Sequence, residues 1–270
     1  MRPDWLLLSG ALACLLAGCS RMDRLSIVRP TAERGDYTHV GQRYEVSDKD
    51  QKTSPIASAD LVAGAAGLYQ AGQVDLAERQ AREALRRDPA SSDAHTLLAA
   101  IANSRGDARA AGEHYAKAAA IAPANGNYTN NYGVWLCENG RAAESLDWFE
   151  RALADPGYAT PVDAMANAGT CAQRAGLPER AEANWRRAIS RDPANAQSLA
   201  GLANLQFERG RFLEARAFVE RWLGVAPNDQ EALRLAARIE SALGDKVAAE
   251  RYLSRLQSIP RSGPPATRAQ

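Results

Sequence analysis

The amino-acid sequence predicts an all-α superhelix of six helix-turn-helix units, preceded by an export signal and a flexible tether. Three observations predict it. Glycines recur at 72, 106, 140, 176, 210 and 244, with spacings of 34, 34, 36, 34 and 34. Five residues after each stands a small residue: Ala77, Ala111, Ser145, Ala181, Ala215 and Ala249. Alanine supplies 55 of the 270 residues while aromatics are 6%, a composition that favours helix and disfavours extensive sheet. Lys plus Arg number 33 against 32 Asp plus Glu, well mixed along the chain, so no basic footprint for nucleic acid exists.

The first element is an address. Met1 and Arg2 precede an apolar run from Trp5 to Gly18, too short to span a bilayer core of about 30 Å as a helix. It reads as a secretory signal over residues 1–18. The run closes in Leu16-Ala17-Gly18-Cys19, which resembles the bacterial lipobox. That resemblance implies cleavage before Cys19, which becomes the first residue of the mature protein and carries acyl chains such as palmitate. Each buried CH₂ contributes about 0.8 kcal/mol, so three chains anchor a protein without a transmembrane helix. In the sorting rule that accompanies such lipoproteins, Asp after the lipidated Cys retains the protein at the inner membrane. Here that position is Ser20, which implies the outer membrane.

The second element is a tether. Between residues 19 and 57 the charges are mixed, Pro30, Gly35, Gly41 and Pro55 interrupt the chain, and apolar residues follow neither helical nor strand period. As a disordered coil this length spans about 35 Å, enough to hold a domain clear of a lipid surface. A second disordered stretch is expected at 262–270.

The units occupy about 58–91, 92–125, 126–161, 162–195, 196–229 and 230–261. Each recurring Gly sits where the first helix ends and positive φ is cheap only for Gly. The small residue lets the second helix approach the first. Pro89, Pro123, Pro193, Pro227 and Pro260 close the units, with Pro156 in the longer third, because Pro cannot continue the second helix. Apolar positions keep helical period, as at Leu61, Ala65 and Leu68 or Leu199, Leu202 and Ala203. Tyr115, Phe149, Trp185, Val219 and Leu253, four residues after the small position, are expected in the core. This 34-residue period resembles the tetratricopeptide repeat, two antiparallel helices per unit, which implies a superhelix stabilised by unit and neighbour terms.

Nothing in the sequence points to catalysis, a cofactor or a metal. Its histidines are His39, His95 and His114, without a His-Glu pair at metal spacing, a phosphate-cradling Gly loop or a Gly-x-Ser-x-Gly elbow. His95 and His114 fall at packing or surface positions. Cys14 leaves with the signal and Cys19 is acylated, so the exported domain keeps Cys137 and Cys171, an even pair in an oxidising compartment and so a disulfide candidate, the alternative being two buried thiols.

The first helices line the concave face of such a superhelix, the expected surface for a protein partner. By phase its candidates are Tyr69, Asn103, Asn127, Asn130, Gln173, Asn204 and Phe207, mainly neutral amides. Repeat proteins that grip a C-terminal carboxylate line this face with Lys and Arg. Here the matching places hold Val62, Thr96, Asn130, Ala166 and Ala200, with Arg234 the one cation, which disfavours that use.

Asn130-Asn131-Tyr132-Gly133, Leu136-Cys137, Ala154-Asp155-Pro156-Gly157-Tyr158-Ala159-Thr160-Pro161, Asn167-Ala168-Gly169 and Cys171 together resemble the PilF/PilW family of type IV pilus biogenesis lipoproteins. The lipobox, six repeats and the two-residue expansion at the third junction fit as well. The resemblance implies a non-enzymatic pilotin, lipid-anchored on the periplasmic face of the outer membrane, that helps the pilus secretin localise and multimerise. It implies neither a small-molecule substrate nor a nucleic-acid partner. A general periplasmic adaptor lipoprotein for cell-envelope or peptidoglycan machinery is the alternative.

Overall fold

The computed structural model describes residues 57–259. The signal segment, Cys19, the tether and the C-terminal tail lie outside the described residues. Among the described residues there are twelve α-helices and no strand, arranged as six antiparallel pairs. They are α1 Ser58–Gln70 with α2 Val74–Arg87, α3 Ser92–Ser104 with α4 Ala108–Ile121, and α5 Gly126–Glu138 with α6 Ala142–Ala154. The last three pairs are α7 Pro161–Arg174 with α8 Pro178–Arg191, α9 Ala196–Glu208 with α10 Phe212–Val225, and α11 Gln230–Leu243 with α12 Lys246–Ser258.

The recurring glycines end the first helices in left-handed conformation, with φ between +71° and +87° at all six. A Cβ at any of them would meet nothing within 4 Å, so backbone conformation and not space excludes other residues. The turn satisfies the orphan carbonyls of the helix end. Gly72 N–H donates to the Tyr69 carbonyl at 3.0 Å and Gln73 N–H to the Leu68 carbonyl at 2.9 Å, and the same pair of bonds closes the turns at Gly106, Gly176, Gly210 and Gly244. Side-chain caps start many helices: Ser91, Asp107, Asn125, Asn195, Asp229 and Asp245 each accept from a backbone N–H in the first turn. Pro161 and Pro178 occupy the first turns of α7 and α8, where a missing N–H costs nothing. The fourth unit therefore begins at Pro161, one residue ahead of the expected boundary.

The small residues sit where the paired helices meet, with Ala77, Ala111, Ser145, Ala181 and Ala215 fully buried. Phe149, Trp185 and Val219, four residues on, are core, and Tyr115 is half-buried. Leu253 departs from the expectation, being 45% exposed. Its helix α12 packs on α11, and among the described residues no further unit covers the other face. The six-residue connection from α6 to α7 carries the expansion. Its Asp155 accepts from Gly126 N–H at 2.8 Å, and Tyr158, buried, lies over Gly126 so closely that a Cβ there would come within 2.5 Å of the ring.

Packing is uneven along the array. Units one and two are filled largely by alanines (Ala65, Ala77, Ala81, Ala84, Ala94, Ala99, Ala111), whereas Leu136, Leu146, Phe149, Met165, Leu199 and Leu202 fill the centre. The first helices of neighbouring units touch directly, α1 with α3, α5 with α7, α7 with α9 and α9 with α11, while each second helix packs between first helices. An array whose first helices sit closest together curves toward them, so these helices line its concave side.

Candidate functional site

The concave face is built from the first helices, and the structure divides its expected residues into free and engaged groups. Asn103, Asn127 and Asn204 are exposed. Asn204 Nδ2 donates back to the Ala200 carbonyl at 3.0 Å, which leaves its oxygen as an acceptor. Asn130 and Gln173 are half-buried, and Asn130 Oδ1 and Gln173 Oε1 are buried without a hydrogen-bond partner. Tyr69 and Phe207 are engaged within the chain. Tyr69 Oη donates to the Ala100 carbonyl of the next unit at 3.4 Å, while the Phe207 ring lies 5.5 Å from Phe212 and beneath the Arg238 guanidinium at 4.5 Å. Arg234, the lone cation of the clamp positions, is exposed and donates to Gln230 Oε1 at 3.0 Å.

At the middle of this face, Cys137 on α5 and Cys171 on α7 are joined as a disulfide, with Cα atoms 5.7 Å apart. Both cysteines are almost fully buried, and their edge forms the floor of a cavity of about 130 Å³. Every residue around it belongs to α5, α7 or α9. Glu138 and Arg174, both exposed, stand at its rim without forming an ion pair with each other, and Arg174 Nη1 lies 3.8 Å from Cys137 Sγ. Gln197 Nε2 crosses from α9 to donate to Thr170 Oγ1 at 3.0 Å and Asn167 Oδ1 at 3.3 Å.

These five polar residues were not among the expected groove positions. Their signal was in the sequence as phase: 134, 137 and 138 form one helical stripe, and 167, 170, 171 and 174 another, both centred on the cysteines. Tyr128 was also missed. It ties α5 to α3 by donating to Asp93 Oδ1 at 2.8 Å; burial first, then this hydrogen bond, pushes its phenol up to about 12, so it remains a neutral donor.

Ion pairs bridge neighbouring units, from the ends of first helices to the preceding second helices. Arg105, just past α3, reaches Asp75 at 2.5 Å and Glu78, and Arg209, just past α9, reaches Glu179 at 3.2 Å and Glu182. Arg216 grips the buried Glu240 through two nitrogens, Nε at 2.8 Å. In the second unit His95 Nδ1 and His114 Nδ1 are 2.9 Å apart, and burial lowers both imidazoles below their usual range. Among the described residues no group of three or more His, Cys, Asp or Glu could hold a metal ion, and no helix is long and apolar enough to cross a membrane.

Two family models described as tetratricopeptide repeat match residues 172–239 and 63–126. The chain is 25% identical over 193 residues to the type IV pilus assembly protein PilF of Pseudomonas aeruginosa strain PAO1, covering 72% of this chain and 77% of that protein. The crystal structure of PilW, a widely conserved type IV pilus biogenesis factor, superposes with a TM-score of 0.69 at 29% identity, over 74% of this chain and 92% of PilW. The structure of Pseudomonas aeruginosa PilF superposes with a TM-score of 0.68 at 24% identity, over 74% of this chain and 90% of that one.

Proposed function

We propose that this PilF/PilW-like tetratricopeptide-repeat chain is a non-enzymatic pilotin, which captures the type IV pilus secretin on its concave face and brings it to the outer membrane through an acylated Cys19. The observation that carries this reading is the likeness to pilus biogenesis proteins along nearly the whole helical array, reaching 92% of PilW. Labour is divided along the sequence. Acyl chains on Cys19 supply membrane affinity at the periplasmic face, the residues up to 57 supply reach, and the six helix pairs supply recognition.

The groove's chemistry supports capture of an internal segment of a folded or folding partner over a free chain end. Its exposed and half-buried amides Asn103, Asn127, Asn130, Gln173 and Asn204 can pair with a partner's backbone, while the clamp positions carry the single cation Arg234. A photo-crosslinking residue introduced at Asn130 or Asn204, followed by detergent extraction, tests the reading. The adduct is expected to contain the secretin. Adducts with a peptidoglycan hydrolase or an outer-membrane assembly machine, and none with secretin, would replace it with the general adaptor reading.

A further inference from the structure

We propose that the cavity over the Cys137–Cys171 disulfide is the specificity pocket of the concave face, and that it takes the primary carboxamide of an Asn or Gln side chain from an extended segment of the partner. The inference rests on reading the concave face as the partner surface and names the chemistry that surface selects.

Size restricts the occupant first. At about 130 Å³ the cavity is well below the roughly 300–1,000 Å³ of small-molecule and cofactor sites, and it suits one side chain. Its floor is the disulfide, which offers no hydrogen-bond donor and at most weak acceptors. Charge restricts the occupant next. Glu138 and Arg174 face the same opening with opposite signs and are not paired with each other. A partner carboxylate gains Arg174 but meets Glu138, and a partner ammonium or guanidinium gains Glu138 but meets Arg174, so the attraction on a full charge of either sign is offset by a like charge.

The hydrogen-bonding inventory then selects among neutral groups. Gln197 Nε2 already donates to Asn167 Oδ1 and Thr170 Oγ1, and Thr170 Oγ1 donates to the Ala166 carbonyl, so what these walls offer is the Asn167 NH₂ and the Arg174 guanidinium as donors, and the Glu138 carboxylate and Gln197 Oε1 as acceptors. That is two donor groups and two acceptors, Glu138 the stronger. A primary carboxamide complements the set, its oxygen accepting from Asn167 and Arg174 while its NH₂ donates to Glu138. An aliphatic side chain would strip water from these groups and return nothing to them. The covalent link between α5 and α7 fixes the walls before binding, so little ordering is left to the moment of capture.

The test uses the full-length chain with the disulfide intact and four pentapeptides, blocked as N-acetyl N-methylamides, with Gln, Glu, Lys or Leu between flanking alanines. Nuclear magnetic resonance titration reads the side-chain NH₂ signals of Asn167 and Gln197. The Gln peptide should move them and bind at least about tenfold tighter than the other three. Glu138→Gln should bring the Glu peptide to within about threefold of the Gln peptide, and Arg174→Gln should do the same for the Lys peptide. Both residues are exposed, so unchanged circular dichroism establishes that the variants fold. Equal binding of Leu and Gln, an affinity order unmoved by either substitution, or no movement of the two NH₂ signals overturns the proposal. If secretin still crosslinks to Asn130 or Asn204 in that event, the pocket assignment fails while the partner-surface reading survives.

Discussion

Replacing Gly201 by Ala should destabilise the array even though alanine is the better helix former. The reason is the Trp185 indole, held between α7 and α9. A Cβ at Gly201 would lie 2.4 Å from its Cε2 and 2.5 Å from its Cζ2, about 1 Å short of an ordinary contact of roughly 3.5 Å. The ring has little room to swing away, because a Cβ at Gly169 would also come within 2.4 Å of its Cδ1 and Nε1, so the indole is packed against the backbone of both helices. Overpacking of this kind costs about 1–3 kcal/mol, against about 1 kcal/mol returned by helix propensity. The net expectation is a loss of up to about 2 kcal/mol.

Gly67→Ala is the control. Gly67 lies in α1, is exposed, and its added Cβ would meet nothing within 4 Å, so this change should stabilise by about 0.5–1 kcal/mol. Urea melts of both variants, followed by circular dichroism at 222 nm and by tryptophan fluorescence, compare the signs directly. The midpoint should fall for Gly201→Ala and rise for Gly67→Ala. A rise in both would refute the close contact and, with it, the phase assigned to the fourth and fifth units.

Two further outcomes follow from the second unit and the disulfide. His95 and His114 share one hydrogen bond between their Nδ1 atoms, and burial first lowers both imidazoles below the ordinary 6.5, Lys117 adding to it at both rings and His95 and Arg82 at His114, against the Pro89 backbone hydrogen bond at His95 and Glu113 at His114. Folded-state values below the unfolded one mean that the contribution is complete above about pH 6.5 and is lost as pH falls through the folded values. Melts between pH 7.5 and 5.5 should therefore show falling stability on the acid side, flattened by His114→Gln, and an unchanged slope in that variant would contradict the pairing. Thiol labelling of protein purified from the periplasm should find Cys137 and Cys171 protected until reductant is added, and reduction should cost at most about 3–4 kcal/mol for a loop of this length. Full labelling without reductant would remove the staple.

What could be read from the sequence, and what could not, follows from how local each constraint is. The six turn glycines are legible because a left-handed φ is a property of one residue, and its recurrence sets the register of everything else. Gly112, Gly126, Gly169 and Gly201 are not legible in that way. Inside or at the start of a helix each looks like a weak helix former, and its cause is an aromatic ring from another element: Trp135, Tyr158, or Trp185 against the last two. Leu253 shows the reverse error, since its register promises burial that only a neighbouring unit can supply. On the concave face phase put the candidates on the first helices, but phase did not say that Tyr69 and Phe207 would be engaged within the chain. It also did not bring Glu138, Arg174, Asn167, Thr170 and Gln197 together, because that depends on how closely α5, α7 and α9 approach across the disulfide.

The central claim, that an anchor and a recognition groove act separately on one partner, is tested most directly by measuring heat-resistant secretin multimers in fractionated inner and outer membranes. Two strains are compared, one with Cys19→Ala routed through an ordinary signal and one with Asn130 and Asn204 both replaced by Ala. The first protein should fold and bind, and its secretin multimers should be found in the wrong membrane. The second should reach the outer membrane yet capture secretin weakly, lowering multimers without moving it. Multimers placed and assembled as well by the unanchored variant as by the native chain would contradict the account.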